Sequence, residues 1–421
     1  MIYLVAFLGF LLAVYGPSIA AKWRSYRHKK RLSALIPGDE GLPIIGNALE
    51  LGTDSESMPR SFLEMAAALR QSAPDAQLLK FWVLHECGFV PMTGEMLQYI
   101  IDSNEEINKG EDYDILAPWL GRGLMLAGGD QWRARRKLLN PSFNFGMLLE
   151  YTETMNTHSR VLVDVLDAHT NKEFDIYPFM KRCTLDIICD VAMAKDLDSL
   201  HNPDQPYVKA ISRVMALCIE ANMKPYLWSA IGKKLCGWQK EHDENVKIAH
   251  AFTEQVIAER MESIAKGEEV KQKDFLDLLI TENSRGNLTM EEVHAETETF
   301  MFGGHDTTSA TLGWALWCLA NHPEIQERVH DELKSVFGDD ADRDCTKADF
   351  DKLVYLDRCI KETLRLFPSV PFMLRHLEND LKMGPYVVPR GSKLAIAPHI
   401  VHRNERIYPN PLVYDPDRFL P

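Results

Sequence analysis

Residues 298–324 of this 421-residue chain read ETFMFGGHDTTSATLGWALWCLANHPE. The stretch is apolar over most of its length and stops before Pro323, so it reads as one long buried helix. Its middle breaks the local rules for such a helix. Gly303 and Gly304 cost roughly 1 kcal/mol each in a helix interior, and the β-branched Thr307 and Thr308 do not offset that. A buried helix that breaks rules in one place points to function there. Glycine lets another group come close to the backbone, and a Thr hydroxyl can bond to a carbonyl one turn earlier. Asp306 beside Thr307 sets an acid next to an alcohol in an apolar wall, which suits relaying protons into a dry pocket. A packing notch at the glycines, with a solvated Asp and Thr, is the other reading of the same residues.

Helical patterns also fill 131–140, 146–168, 207–221, 243–266, 288–320, 323–336 and 353–367. Strand-like pieces are few and short, at 77–84, 386–389 and 393–398, and residues 267–274 read as a solvated loop. The fold class is therefore mainly α with a small β part. A hydrophobic fraction of 46% and a charged fraction of 26% allow a large core and exclude disorder. The net charge of −14 argues against a nucleic-acid partner. The eight cysteines are irregularly spaced and include no C-x-x-C pair, the usage of a reduced compartment with neither a disulfide framework nor a zinc site.

The N-terminus departs from this soluble pattern. Residues 1–21 carry no charge, and Lys22, Arg24, Arg27, Lys29, Lys30 and Arg31 follow at once. An apolar run of this length can span a bilayer, and positive charge after it holds that side in the cytoplasm. Residues 1–21 are expected to be a transmembrane anchor, 22–36 a basic linker and 37–421 the body. A cleaved signal peptide is the alternative, since Ser18-x-Ala20 resembles a cleavage site. Pro37, Gly38, Gly41, Pro43 and Gly46 forbid a helix over IPGDEGLPIIGN, which reads as a stiff, kinked hinge.

Three further motifs hold charged residues in register. Glu362 and Arg365 in KETLRLFP stand one turn apart, a spacing common on solvated faces. Trp132 and Arg136 share a face of WRARRK, where an indole N–H and a guanidinium suit an anionic ligand; Arg133, Arg135 and Lys137 would face outward as a basic patch. Arg418 in DPDRF could join Glu362 and Arg365 in a buried charge cluster.

The succession of apolar anchor, Pro-Gly hinge, W-x-x-x-R, G-G-x-D-T-T, E-x-x-R and D-P-D-R-F resembles the haem-thiolate monooxygenases, the cytochromes P-450, from Pro37 to Pro421. Residues 114–143 and 300–310 look most like the fourth family, which contains many fatty-acid hydroxylases. By that resemblance Trp132, Arg136 and Arg375 would contact haem propionates. Thr307 would hydrogen-bond dioxygen, Asp306 would help deliver protons, and Gly303 and Gly304 would leave room for oxygen. Glu362, Arg365 and Arg418 would form a structural triad. The run 133–137 would lie near the docking face of an NADPH-dependent reductase. The substrate would be lipophilic, in a pocket lined by 110–128, the residues near Phe300, the turn 369–374 and parts of 207–230. The body would sit on the cytoplasmic side of the endoplasmic reticulum membrane.

Two departures qualify these expectations. Many members of the fourth family carry a Glu where this chain has Gly303, and that Glu can bond covalently to haem, so a non-covalent haem is expected. The family's axial Cys lies in a Gly-rich loop after P-x-R-F, and none of the eight cysteines stands in such a loop. Cys318 and Cys359 read as core residues. The P-450 fold is accordingly expected to be incomplete at the C-terminus, with no metal ligand in the chain and no turnover by it as it stands. Two alternatives remain: a haem-less, membrane-anchored partner-binding protein or pseudogene product, and a haem-thiolate isomerase or dehydratase.

Overall fold

The computed structural model describes residues 2–52, 54, 56–143, 151–267, 274–340 and 342–420, with side chains from Tyr15 onward, Phe143 excepted. The chain divides into two compact units rather than one body. The first is Met1–Gly110 with Phe372–Pro409, and the second is Glu111–Pro371 with Asn410–Pro421.

The first unit opens with helix α1 (Ile2–Ser33), followed by α2 (Ser57–Ser72) and α3 (Gly94–Ile101). Most of the expected anchor, residues 1–14, lies outside the described side chains, and among the described residues no helix is long and apolar enough to cross a membrane. The helix runs on through most of the basic segment, to Ser33. Charge pairing within the unit explains this: Lys29 is buried with its Nζ 3.1 Å from Glu86, and Lys30 pairs with Glu40 at 2.7 Å.

Four strands form one sheet in the order β1-β2-β6-β3: β1 (Leu78–Val83), β2 (Glu86–Pro91), β3 (Met373–His376) and β6 (Lys393–Ile396). A separate hairpin pairs β4 (Leu381–Met383) with β5 (Tyr386–Val388). Strand β2 lacks the alternation of a half-buried strand, because it lies between β1 and β6 and is buried along almost its whole length. The Pro-Gly segment is docked on this sheet. Asn47 donates its backbone N–H to the Trp82 carbonyl at 2.7 Å, and its Oδ1 accepts from the Trp82 N–H at 2.9 Å. Gly46 has φ +61°, and a Cβ there would come within 2.4 Å of the Trp82 carbonyl oxygen, so only glycine allows this approach.

The second unit is helical. Its main helices are α4 (Gly129–Leu139), α5 (Thr152–Asp167), α6 (Tyr177–Met193), α7 (Pro206–Met223), α8 (Trp238–Lys266), α9 (Phe275–Ser284), α10 (Met290–Asn321), α11 (Pro323–Phe337) and α12 (Val354–Leu366). The start of the helix expected at 146 and residues 268–273 of the expected loop lie outside the described residues. The long apolar segment is α10, uninterrupted through its glycines, and Thr289 and Glu292 close a capping box at its start. Helix α6 packs along it: Thr184 Oγ1 donates to the His305 carbonyl at 2.9 Å, and Ile188 lies over Gly304. One apolar core gathers residues of α6, α7, α8, α9 and α10 around Trp119, Leu185, Val214, Leu279 and Phe302.

Candidate functional site

The two glycines of α10 do different things. A Cβ on Gly304 would stand 2.6 Å from Ile188 Cγ1, so this glycine is a packing notch for α6. A Cβ on Gly303 would meet nothing within 4 Å, so that position faces open space. Thr307 Oγ1 donates to the Gly303 carbonyl at 2.8 Å, the one-turn back-bond expected from the sequence. With its proton committed there, the hydroxyl keeps its lone pairs for a donor from the open side. Asp306 Oδ1 lies 3.2 Å from Lys181 Nζ of α6, both side chains partly exposed. The sequence carried no signal for Lys181, because only the packing of α6 on α10 brings it there.

On α4, Trp132 is half-buried and Arg136 exposed, one turn apart on one face. Arg135 does not face outward with Arg133 and Lys137. It is buried, its Nη2 2.5 Å from Glu292 Oε1 and its Nε 3.2 Å from Glu296 Oε1. Two carboxylates one turn apart on α10 draw this cation inward, beside Leu139 on the buried face of α4. Burial pushes the Glu296 carboxyl up to about 7, against the Leu124 N–H and Arg135, which favour its charged form.

Glu362 and Arg365 are not on a solvated face: both are buried. Arg365 donates through Nε to Glu362 Oε2 at 2.6 Å and through Nη2 to Oε1 at 2.8 Å. Its Nη1 donates to the Pro411 carbonyl at 2.7 Å. Arg418 Nε lies 3.4 Å from Glu362 Oε1, and the Asp415 N–H donates to the same oxygen at 2.8 Å. The structure thus brings Glu362, Arg365 and Arg418 together, tying α12 to residues 411–418.

Arg375 lies in the first unit, on β3, half-buried. Burial and then the neighbouring Arg375 push the Lys109 ammonium down to about 8. Two cations held against each other in a half-buried setting suit an anionic group, and sequence reasoning missed Lys109 because it stands far from Arg375 along the chain.

Six of the eight cysteines are buried, Cys345 is half-buried and Cys236 is exposed. Burial pushes the thiols of Cys87 and Cys218 up to about 12, those of Cys183, Cys318 and Cys359 up to about 11, and that of Cys189 well above its ordinary value. Burial of this kind disfavours the thiolate form of these side chains.

One unit is mainly helical with one long helix, and the other is built on a small mixed sheet. The fold superposes on the crystal structure of the cytochrome P450DA heme domain with a TM-score of 0.76, covering 91% of this chain and 82% of that one at 19% identity. The sequence model for Cytochrome P450 matches residues 36–421. Cytochrome P450 4V2 of Pongo abelii is 37% identical over 425 residues, which cover 96% of this chain and 78% of that protein. Cytochrome P450 4c3 of Drosophila melanogaster is 35% identical over 406 residues, which cover 92% and 75%. The chain belongs to the cytochrome P450 family and resembles its fourth family.

Membership implies haem, a redox partner and lipophilic substrates in general terms. Within the second unit, the helix wall open at Gly303 beside a carboxylate and a hydroxyl is compatible with one face of that group. None of the eight cysteines stands in a Gly-rich loop after the P-D-R-F run that precedes Pro421, and six of them are buried in the core, which does not fit its thiolate side.

Proposed function

We propose that this protein is built for haem-dependent insertion of one oxygen atom from O2 into a lipophilic, fatty-acid-like or foreign substrate, with electrons from NADPH through a reductase. The observation that carries this reading is the open wall at Gly303, flanked by Asp306 and by a Thr307 hydroxyl whose proton is held on the Gly303 carbonyl. When bound, the haem supplies the redox chemistry. This chain's own residues hold and move protons. Asp306, paired with Lys181 and partly exposed, can exchange a proton with solvent at its carboxylate oxygens. The Thr307 oxygen, one residue on, accepts from a donor on the open side. Trp132, Arg136 and Arg375 would hold the propionates, and Gly303 in place of the family's linking Glu leaves the haem non-covalent. Glu362, Arg365 and Arg418 would keep α12 rigid against residues 411–418.

We further propose attachment to the endoplasmic reticulum membrane through residues 1–21, with the body cytoplasmic. The uncharged run before six basic residues supports this. The burial of six of the eight cysteines supports a second statement: the 421 residues alone do not turn over, and a haem-less, partner-binding role is the reading that competes.

The test uses the chain itself and a chimaera that adds the Cys-loop segment of the Pongo abelii relative after Pro421. The chimaera is expected to give the reduced carbon-monoxide band of thiolate-ligated iron and NADPH-driven oxidation of a fatty acid with reductase. Asp306→Asn and Thr307→Ala in it should each lower turnover by about 10²-fold or more without loss of haem. The 421-residue chain should show neither band nor turnover. A band from that chain would sink the statement about its cysteines. A haem-loaded chimaera indifferent to both substitutions would sink the proton-relay reading.

A further inference from the structure

Two imidazoles and a carboxylate converge in the second unit. His250 comes from α8, and His294 and Glu298 stand one turn apart on α10; one donor atom from each lies within 4.8 Å of the other two. Glu298 is fully buried and is hydrogen-bonded by neutral donors, Thr253 Oγ1 to its Oε1 at 2.7 Å and Trp119 Nε1 to its Oε2 at 3.1 Å. Among the described residues no Lys or Arg forms an ion pair with it. An acid so placed lacks a compensating cation. The His294 Nε2 atom is buried and, among the described residues, has no hydrogen-bond partner.

We propose that His250, His294 and Glu298 form a divalent-metal site, suited to Zn2+, that ties α8 to α10. The donor set is the two-His, one-carboxylate combination that zinc accepts, with a water completing four-coordination. The bonds around the donors match what a metal site needs. His250 Nε2 lies 2.7 Å from the Trp119 carbonyl, so this nitrogen carries the proton and Nδ1 is left as the ligand atom. Trp119 therefore orients two of the three ligands, His250 through its carbonyl and Glu298 through its indole. Tetrahedral zinc with bonds of about 2.0–2.1 Å sets donors roughly 3.3 Å apart. The rings must draw in by less than about 1.5 Å from the present spread, a side-chain adjustment that leaves the helices in place. Cysteine spacing gave no sign of such a site, since it contains no cysteine and its ligands come from separate helices. It does not rest on the haem reading.

The test titrates the full chain, stripped with chelator, with Zn2+ alone against a chromophoric competitor, and repeats this on His294→Ala and Glu298→Gln. One equivalent is expected to bind at micromolar or tighter concentration, with at least a tenfold loss of affinity in each variant and an unchanged affinity in Cys236→Ser. Co2+ added to the unsubstituted chain should give the intense visible absorption of a tetrahedral nitrogen–oxygen site, a readout that requires no variant to fold. Absence of a bound equivalent, an affinity in both variants equal to that of the unsubstituted chain, or an octahedral Co2+ spectrum would overturn the proposal.

Discussion

Arg365 grips both oxygens of Glu362, at 2.6 and 2.8 Å, with each side chain shielded from solvent. Removing one partner of a buried pair leaves an uncompensated charge, which costs about 3–5 kcal/mol. Arg365→Ala should lose that much in urea unfolding. Arg365→Lys should recover little, because an ammonium cannot supply the planar fork that also reaches the Pro411 carbonyl. The double variant Arg365→Met with Glu362→Leu should be more stable than Arg365→Ala. A loss below about 1 kcal/mol for Arg365→Ala would show that the cluster is not structural.

The adjacent glycines of α10 predict opposite outcomes. Gly303→Ala adds a methyl group into open space and should stabilise by up to about 1 kcal/mol through helix propensity. Gly304→Ala drives a methyl group to 2.6 Å from Ile188. Overpacking should outweigh the propensity gain and destabilise by about 1–3 kcal/mol. Thermal unfolding of the two variants side by side decides it, and equal effects would refute the distinction.

His305 sets part of the acid response. Burial pushes its imidazole down to about 4, while its Nδ1 sits 2.7 Å from the Met301 carbonyl. The unfolded chain takes up a proton on this ring near pH 6.5, and the folded chain does not until about 4. Stability should therefore fall as pH drops through that window, because the unfolded state binds more protons there. Replacement by Gln, which keeps a donor for the Met301 carbonyl, should flatten the dependence between pH 6.5 and 4. Urea midpoints at several pH values provide the check, and an unchanged slope would remove His305 from the account.

Thiol labelling tests the cysteine environments. With a neutral-pH disulfide reagent the native chain should react at Cys236, more slowly at Cys345, and at the six buried positions only after denaturation. Fast native labelling of Cys318 or Cys359 would mean that one of them is open enough to serve as a ligand.

The class of fold was legible in the chain. Apolar periodicity over 288–320 and 353–367 marked α10 and α12 to within a few residues, because a buried helix must present apolar groups at helical spacing. The order of motifs carried the family. The Thr307 back-bond could also be anticipated, since it closes within a single helical turn. Long-range neighbours decided the rest. Arg135 and Arg136 are adjacent basic residues on one helix, yet two acids on α10 pull only the first inside. Gly303 and Gly304 are the same residue twice, separated in role by Ile188. The pairing of Asp306 with Lys181, and the meeting of His250 with His294 and Glu298, depend on which helix packs against α10. Local sequence determines what a segment can become because propensity and periodicity act over a few turns. The charge, space and partners each side chain meets come from segments far along the chain, and only tertiary packing brings those into contact.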